Sequence, residues 1–221
     1  MDRPYDVITF DCYGTLIDWE GGITQAFTAG ARQDGKTLDP AAVLAVYAEI
    51  EPVVEAEAYR SYRAVLTETA RRVAGRLGWP IDEARARFLA DSLVDWRPFP
   101  DTNPALERLV RAGYRLGILS NVDDDLLAGT CRHFSVRFDL LVSAQQVSSY
   151  KPAPGHFLTA RDRIGRQRWL HAAQSYFHDV VPARTLGIPI AWINRTRAAA
   201  LDGGRADREF RDLTELADWC A

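Results

Sequence analysis

The sequence predicts an α/β fold, a doubly wound parallel sheet whose first strand is separated from the others by a helical insertion. Two observations predict it. After residue 98, short apolar runs alternate with helical stretches, which is typical of buried parallel strands joined by crossover helices. Between residues 16 and 97, apolar residues follow a helical spacing and no convincing strand interrupts them. The 221 residues suffice for both parts.

The predicted strands are five apolar runs, at residues 5–10, 114–119, 140–143, 170–177 and 188–193. Helices are expected between the later strands, at residues 102–112, 123–134, 154–164 and 180–186. Gly113 and Gly187 follow two of these helices, and glycine is the residue most often found just after a helix end. Residues 196–210, which are rich in glycine and charge, predict a surface loop.

The helical insertion is expected to contain four helices, at residues 23–33, 40–57, 59–77 and 82–94. Two linkers would connect this insertion to the rest of the chain, and the second contains Pro98 and Pro100, which suit a hinge. We therefore predict that residues 1–15 and 98–221 form an α/β core domain and that residues 16–97 form a helical domain.

The overall composition predicts a cytoplasmic protein that acts on a small molecule. The net charge of −3 offers no basic surface for nucleic acid or an anionic membrane. The three cysteines are widely spaced and form no zinc pattern, so we expect reduced thiols and no structural metal. No apolar run approaches the roughly 18 residues that a membrane span needs.

Polar residues follow four of the predicted strands. Asp11 ends the first strand and is followed by a glycine turn and Thr15; Ser120 and Asn121 follow the second strand. Lys151 comes after the third strand, and the fourth runs into Asp179. The carboxyl ends of parallel strands bind ligands, and a carboxylate there can act as a covalent nucleophile. The structural alternative for Asp11 is a helix cap.

These four motifs, in this order, resemble the signature of the haloacid dehalogenase superfamily. The resemblance covers essentially the whole chain, because the helical insertion is similar to that superfamily's cap domain. It implies a Rossmann-like core in which Asp11 is the nucleophile and Thr15 and Ser120 bind the substrate. By the same resemblance, Lys151 is the stabilising cation and Asp179 is the acid of the fourth motif.

Two positions indicate a dehalogenase rather than a phosphatase. The phosphatases of the superfamily carry a second aspartate two residues after the nucleophile, which protonates the leaving alcohol, whereas this chain has Tyr13. They also carry an upstream acid in the fourth motif, where this chain has Ser175. A halide needs no acid to leave, and one carboxylate fewer weakens a Mg²⁺ site. The sequence Asp-Cys-Tyr-Gly-Thr resembles the L-2-haloacid dehalogenase branch, which works without metal.

Several positions depart from that branch. Its cap carries an arginine near the substrate, but residues 46–50 contain none, so Arg60 or Arg63 is a candidate replacement; the alternative is a solvated helix face. Position 157 is Phe where the branch has Tyr. His178, beside Asp179, is a candidate base for the hydrolytic water, or else a strand-end histidine bonded to backbone. Trp19 and Tyr13 could line an apolar pocket or pack the hinge.

The function predicted from the sequence is metal-independent hydrolysis of small 2-haloalkanoic acids through an ester on Asp11. Ser120, Asn121 and Lys151 would hold the substrate carboxylate or the nucleophile. The alternatives are a magnesium-dependent phosphatase and a protein of the same fold without dehalogenase activity. The resemblance also makes a homodimer one expectation for the assembly.

Overall fold

The computed structural model describes residues 3–200 and 204–221, and the chain divides into two compact units. An α/β unit contains the residues up to 18, residues 98–121 and the residues from 131 onward. A helical unit contains residues 19–97 and 122–130. This division differs from the sequence-based domains at residues 16–18, which lie in the α/β unit, and at residues 122–130, which lie in the helical unit.

The α/β unit is built on a six-stranded sheet in which every pair of neighbouring strands is parallel. The strands are β1 (Val7–Phe10), β2 (Arg115–Ser120), β3 (Leu140–Ser143), β4 (Trp169–Ala173), β5 (Ile190–Ile193) and β6 (Arg208–Phe210). Their order across the sheet is β3-β2-β1-β4-β5-β6. All residues of β1, β4 and β5 are buried, as expected for strands covered on both faces. The predicted parallel sheet is confirmed.

The helical unit contains the helices α1 (Trp19–Gln33), α2 (Pro40–Glu55), α3 (Tyr62–Arg76), α4 (Glu83–Ala86) and α5 (Phe88–Ser92). The predicted helix over residues 82–94 is instead divided between α4, α5 and a short 3₁₀ turn at Leu93–Asp95. Aromatic rings pack α5 against α1: Phe88 and Phe27 lie edge to face with their ring centroids 5.1 Å apart.

The remaining helices are α6 (Thr102–Arg111), α7 (Asp124–Cys131), α8 (Ala144–Val147), α9 (Gly155–Ile164), α10 (Val181–Thr185) and α11 (Leu213–Cys220). Most of α7 belongs to the helical unit, and Asp123, just before it, explains why. The Asp123 carboxylate accepts hydrogen bonds from the backbone N–H groups of Tyr62 and Arg63, both 2.9 Å. It therefore supplements the N-cap residue Ser61, whose hydroxyl accepts the Ala64 N–H at 3.3 Å, and α3 begins at Tyr62 rather than at the predicted residue 59.

Two predictions for the end of the chain were wrong. The fourth strand was expected to reach residue 177, but β4 ends at Ala173, because Ser175 caps a π-helical turn at Tyr176–Val180 by accepting the His178 backbone N–H at 3.1 Å. The predicted loop over residues 196–210 contains β6, whose residues are mostly exposed and carry little apolar signal. Residues 201–203 of that loop lie outside the described residues.

The register of the sheet sets the position of the site. Phe10 of β1 pairs with Ile118 of β2 and with Ala172 of β4. Asp11 therefore follows the central strand at the carboxyl edge of the sheet, between the ends of its two neighbours. Over residues 3–200 and 204–221, no helix is both long and apolar enough to cross a bilayer.

Candidate active site

Asp11 is held by the turn that follows β1. The carbonyl of Cys12 accepts the N–H groups of Leu16 and Ile17, at 2.8 and 3.0 Å, and closes this turn. Gly14 has a φ of 97°, a conformation that costs least without a Cβ. The turn brings Thr15 back to Asp11, and its hydroxyl donates to Asp11 Oδ2 at 2.9 Å. The Thr15 hydroxyl in turn accepts the Gln174 N–H at 2.8 Å, so its orientation is fixed.

Lys151 lies between two carboxylates. Its Nζ donates to Asp11 Oδ1 at 2.9 Å, to Asp179 Oδ1 at 2.6 Å and to the Leu119 carbonyl at 3.0 Å, and the residue is 1% exposed. All three ammonium protons are therefore used. The Asn121 side chain fastens the backbone of Lys151, accepting its N–H at 2.7 Å and donating to its carbonyl at 3.1 Å.

The charges of this cluster influence one another strongly because all three side chains are buried. Burial raises the pKa of Asp11, and the ammonium of Lys151 opposes that rise. Burial also opposes ionisation of Asp179, but the charge of Lys151 and the hydrogen bond from His171 outweigh it and lower the pKa of Asp179 to about 2. Burial by itself would lower the pKa of Lys151, but the two carboxylates outweigh it and hold that pKa above its ordinary value. The ammonium of Lys151 therefore favours the ionised form of both carboxylates.

Among the polar atoms that are buried without a hydrogen-bond partner in the described residues, two belong to residues of the four motifs. One is Asp179 Oδ2, whose companion Oδ1 accepts bonds from both Lys151 and His171. The other is the hydroxyl of Ser120, at the end of β2. A buried polar group left unpaired is costly, so both atoms indicate a place for a polar ligand or water.

His178 and Ser175 form a pair on the turn after β4. Ser175 Oγ lies 3.1 Å from His178 Nδ1 and also accepts the His178 N–H. Burial lowers the pKa of His178, so its imidazole is neutral at pH 7 and able to take up a proton. Tyr13 is half-buried and follows Asp11 by two residues, in a bridge with Ile17. Its part in a substrate pocket stays a prediction.

The other three predicted site residues belong to the helical unit. Arg63 donates to Asp125 at 2.8 Å and to Asp91 at 3.3 Å, and its side chain is 41% exposed. Arg60 pairs with Glu57. Trp19 packs against Tyr47, with ring centroids 5.9 Å apart. These contacts favour a structural role for both arginines, and a substrate-binding role for the three stays a prediction.

The sequence analysis missed two buried histidines at the site. His171, in the middle of β4, places Nε2 3.0 Å from Asp179 Oδ1. His156, at the start of α9, donates from Nε2 to the Ser120 carbonyl at 3.0 Å. The signal for His171 was present, because a histidine inside a run that otherwise reads as a buried strand needs a polar partner.

The donor set of the site bears on the magnesium alternative. Within the described parts of the chain, no three His, Cys, Asp or Glu side chains converge as a metal-binding group. Where the carboxylates of Asp11 and Asp179 approach each other, the cation between them is the Lys151 ammonium. Position 13, a second carboxylate in the phosphatases, is Tyr. A Mg²⁺ ion prefers several oxygen ligands, and this donor set offers fewer carboxylates than that of the phosphatases.

Comparison with known proteins agrees with this geometry. The model of a hydrolase family described as haloacid dehalogenase-like hydrolase matches residues 5–177. The chain is 30% identical, over 98% of both chains, to (S)-2-haloacid dehalogenase H-109 of Pseudomonas putida.

Solved structures show the same fold. The crystal structure of a defluorinating L-2-haloacid dehalogenase superposes with a TM-score of 0.84 at 24% identity, covering 98% of this chain and 95% of that one. The L-2-haloacid dehalogenase of Xanthobacter autotrophicus with covalently bound chloropropionic acid superposes with a TM-score of 0.82 at 20% identity, over 97% of both chains. The resemblance drawn from the four motifs is confirmed, and the chain belongs to the haloacid dehalogenase-like hydrolases.

Proposed function

We propose that this protein hydrolyses small 2-haloalkanoic acids through a covalent ester on Asp11, without a metal ion. The observation that carries the proposal is the buried cluster of Asp11, Lys151 and Asp179. In this cluster the Lys151 ammonium favours the ionised form of a buried nucleophilic carboxylate. Position 13, beside it in the chain, is Tyr, so the acid that would protonate a leaving alcohol is missing. The relatives named (S)-2-haloacid dehalogenase support the same reaction.

In the first step, a carboxylate oxygen of Asp11 attacks C2 of the substrate from the side opposite the halogen. The new bond joins that oxygen to C2, the carbon–halogen bond breaks, and the halide leaves with the bonding electrons. Thr15 and Lys151 each donate to a different oxygen of Asp11, so the carboxylate cannot rotate away from its attack geometry. The unpartnered Ser120 hydroxyl is our candidate donor to the substrate carboxylate.

In the second step, water attacks the carbonyl carbon of the Asp11 ester. The acyl–oxygen bond breaks, which releases the 2-hydroxy acid and restores the carboxylate; the water's remaining proton goes to solvent through the site. Asp179 Oδ2 is the candidate acceptor for that water, because it is buried and unpaired while Oδ1 is occupied. His178 is the candidate base, since its imidazole is neutral. C2 is inverted once, in the first step.

Halide release is the direct test. Purified protein treated with a chelator is incubated with chloroacetate and with each enantiomer of 2-chloropropionate, and free chloride is measured. Asp11→Asn is the matched control, because the amide keeps the volume of the side chain but cannot form a stable ester. We expect chloride from the wild type, from one enantiomer in preference, and none from the variant.

The same preparation separates the phosphatase alternative. A wild type that releases no chloride from any of these acids, but hydrolyses an activated phosphate ester only when Mg²⁺ is added, would overturn the proposal. An activated ester carries a good leaving group, so it remains a sensitive probe for a chain that has Tyr13 in place of the acid.

A further inference from the structure

His171 and Thr9 form a cross-strand pair beneath the catalytic cluster. The two residues lie opposite each other in the register of β4 and β1, and both are fully buried. Thr9 Oγ1 lies 2.8 Å from His171 Nδ1 and accepts the Trp169 indole N–H at 2.7 Å. The Phe157 ring packs edge-on against the imidazole, with centroids 5.3 Å apart, and keeps it away from water. His171 is thus bonded on both ring nitrogens.

These bonds determine where the ring proton lies. The Trp169 N–H can only donate, so the Thr9 hydroxyl must place its own hydrogen elsewhere. The one acceptor it meets among the described residues is His171 Nδ1, and a buried hydroxyl left without an acceptor would be costly. Nδ1 is therefore unprotonated, and the neutral ring carries its proton on Nε2. That nitrogen donates to Asp179 Oδ1 at 3.0 Å.

We propose that His171 is a positioning residue for Asp179, held in its Nε2–H form by Thr9. The inference rests on the proposed function and extends it to a residue outside the four motifs. Asp179 Oδ1 accepts from both Lys151 and His171, so Oδ2 is the oxygen that is left to accept from the hydrolytic water. Without the His171 donor, a single bond from Lys151 would hold the carboxylate, and Asp179 could turn about its side-chain bond.

The proposal predicts a selective loss of the second step. Asp11 and its partners Thr15 and Lys151 make no hydrogen bond to His171, so ester formation should be preserved in His171→Phe, which keeps a ring of similar volume. Ester hydrolysis should fall about 10- to 100-fold, the effect of losing one hydrogen bond to a charged group. His171→Gln, which retains a side-chain N–H donor, should recover much of that loss.

Rapid mixing of each variant with 2-chloropropionate measures both steps. We expect His171→Phe to release one equivalent of chloride per protein at the wild-type rate and then to turn over slowly. Mass spectrometry should find the ester on the peptide that contains Asp11. The proposal would be overturned if the rate of the first chloride release fell as much as the steady-state rate and no ester was found. An unchanged steady-state rate would also overturn it. Thermal unfolding of each variant checks that it is folded.

Nitrogen NMR tests the tautomer independently of turnover, and the chain has only four histidines to assign. We expect a neutral Nε2–H ring for His171 in the wild type, with Nδ1 accepting a hydrogen bond from Thr9, and a change of the Nδ1 chemical shift in Thr9→Val, which removes that donor. A proton on Nδ1 in the wild type would overturn the proposal. A wild type that releases no halide would refute the proposed function alone, since the NMR result would still decide whether Thr9 and His171 hold Asp179 in this way.

Discussion

Replacing Lys151 with Met should destabilise the protein far more than the loss of a surface ion pair would. Methionine fills nearly the same volume, so the main change is the loss of the ammonium. Lys151 is 1% exposed and donates to Asp11, Asp179 and the Leu119 carbonyl. The variant leaves two buried carboxylates without their cation. Removing one partner of a buried ion pair costs about 3–5 kcal/mol.

That cost translates into a large shift of the melting temperature. For a chain of 221 residues, each kcal/mol of lost stability lowers the midpoint by about 2–4 °C, so we expect a fall of roughly 6–20 °C at pH 7. The double variant Lys151→Met/Asp179→Asn removes one of the stranded charges and should recover part of the loss. Lys36→Met is the matched control, because Lys36 is exposed and should leave the midpoint nearly unchanged.

The pH dependence of the loss has a definite sign. Without the ammonium, burial and the neighbouring Asp179 charge raise the pKa of Asp11 still further above its ordinary value of 3.8, so the folded variant takes up a proton before the unfolded chain does. A raised folded pKa stabilises the folded state as the pH falls. The gap between wild type and Lys151→Met should therefore narrow from pH 7 to pH 5. A fall of less than about 2 °C at pH 7, or a gap that widens in acid, would refute this reasoning.

Three further predictions follow from the same contacts. Thr15→Val should lower kcat about 10-fold with little change in KM, because Thr15 orients Asp11. A raised KM with an unchanged kcat in steady-state kinetics would show instead that Thr15 mainly binds the substrate. Burial lowers the pKa of His156 from 6.5 to about 4, so the wild type should lose stability as the pH falls through this range. In chemical denaturation, its free energy of unfolding should fall by about 3 kcal/mol more than that of His156→Gln. An equal fall in the two proteins would contradict this. Arg63→Met should cost less than about 1 kcal/mol and leave KM within about twofold; a KM rise of about tenfold would instead favour a substrate role.

Much of the fold was accessible from the sequence because buried parallel strands are almost continuously apolar. The runs that became β1, β2 and β3 were placed to within two residues at each end. Asp11, Ser120 and Lys151 were predicted as site residues because each follows such a run. Gly113 and Gly187 marked helix ends as expected, with φ values of 86° and 66°. Local patterns sufficed wherever neighbouring residues alone decide the conformation.

The parts that were missed depend on partners distant in the chain. The hydrogen bond from Tyr62, at the start of α3, to Asp123 joins residues 61 positions apart, and no local pattern could reveal it. Ser61, the N-cap of α3, was a local signal for that start. The side chain of Asn121 is bonded to the Lys151 backbone, a contact that no local pattern showed, and its predicted binding of the substrate or the nucleophile stays a prediction. The partner of His171 became visible only in the register of β1 and β4, which pairs this histidine with Thr9. β6 has one neighbouring strand and three residues, which is too little for a pattern.

The central claim is that Asp11, not water, attacks the substrate. A single turnover with protein in excess of 2-chloropropionate, in water enriched in heavy oxygen, tests it most directly. If Asp11 forms the ester, the oxygen of the first 2-hydroxy acid comes from the Asp11 carboxylate, so the product stays light and the Asp11 peptide becomes heavier by one exchanged oxygen. Heavy oxygen in the product of that first turnover, with an unlabelled Asp11 peptide, would mean that water attacks C2 directly and would contradict the account.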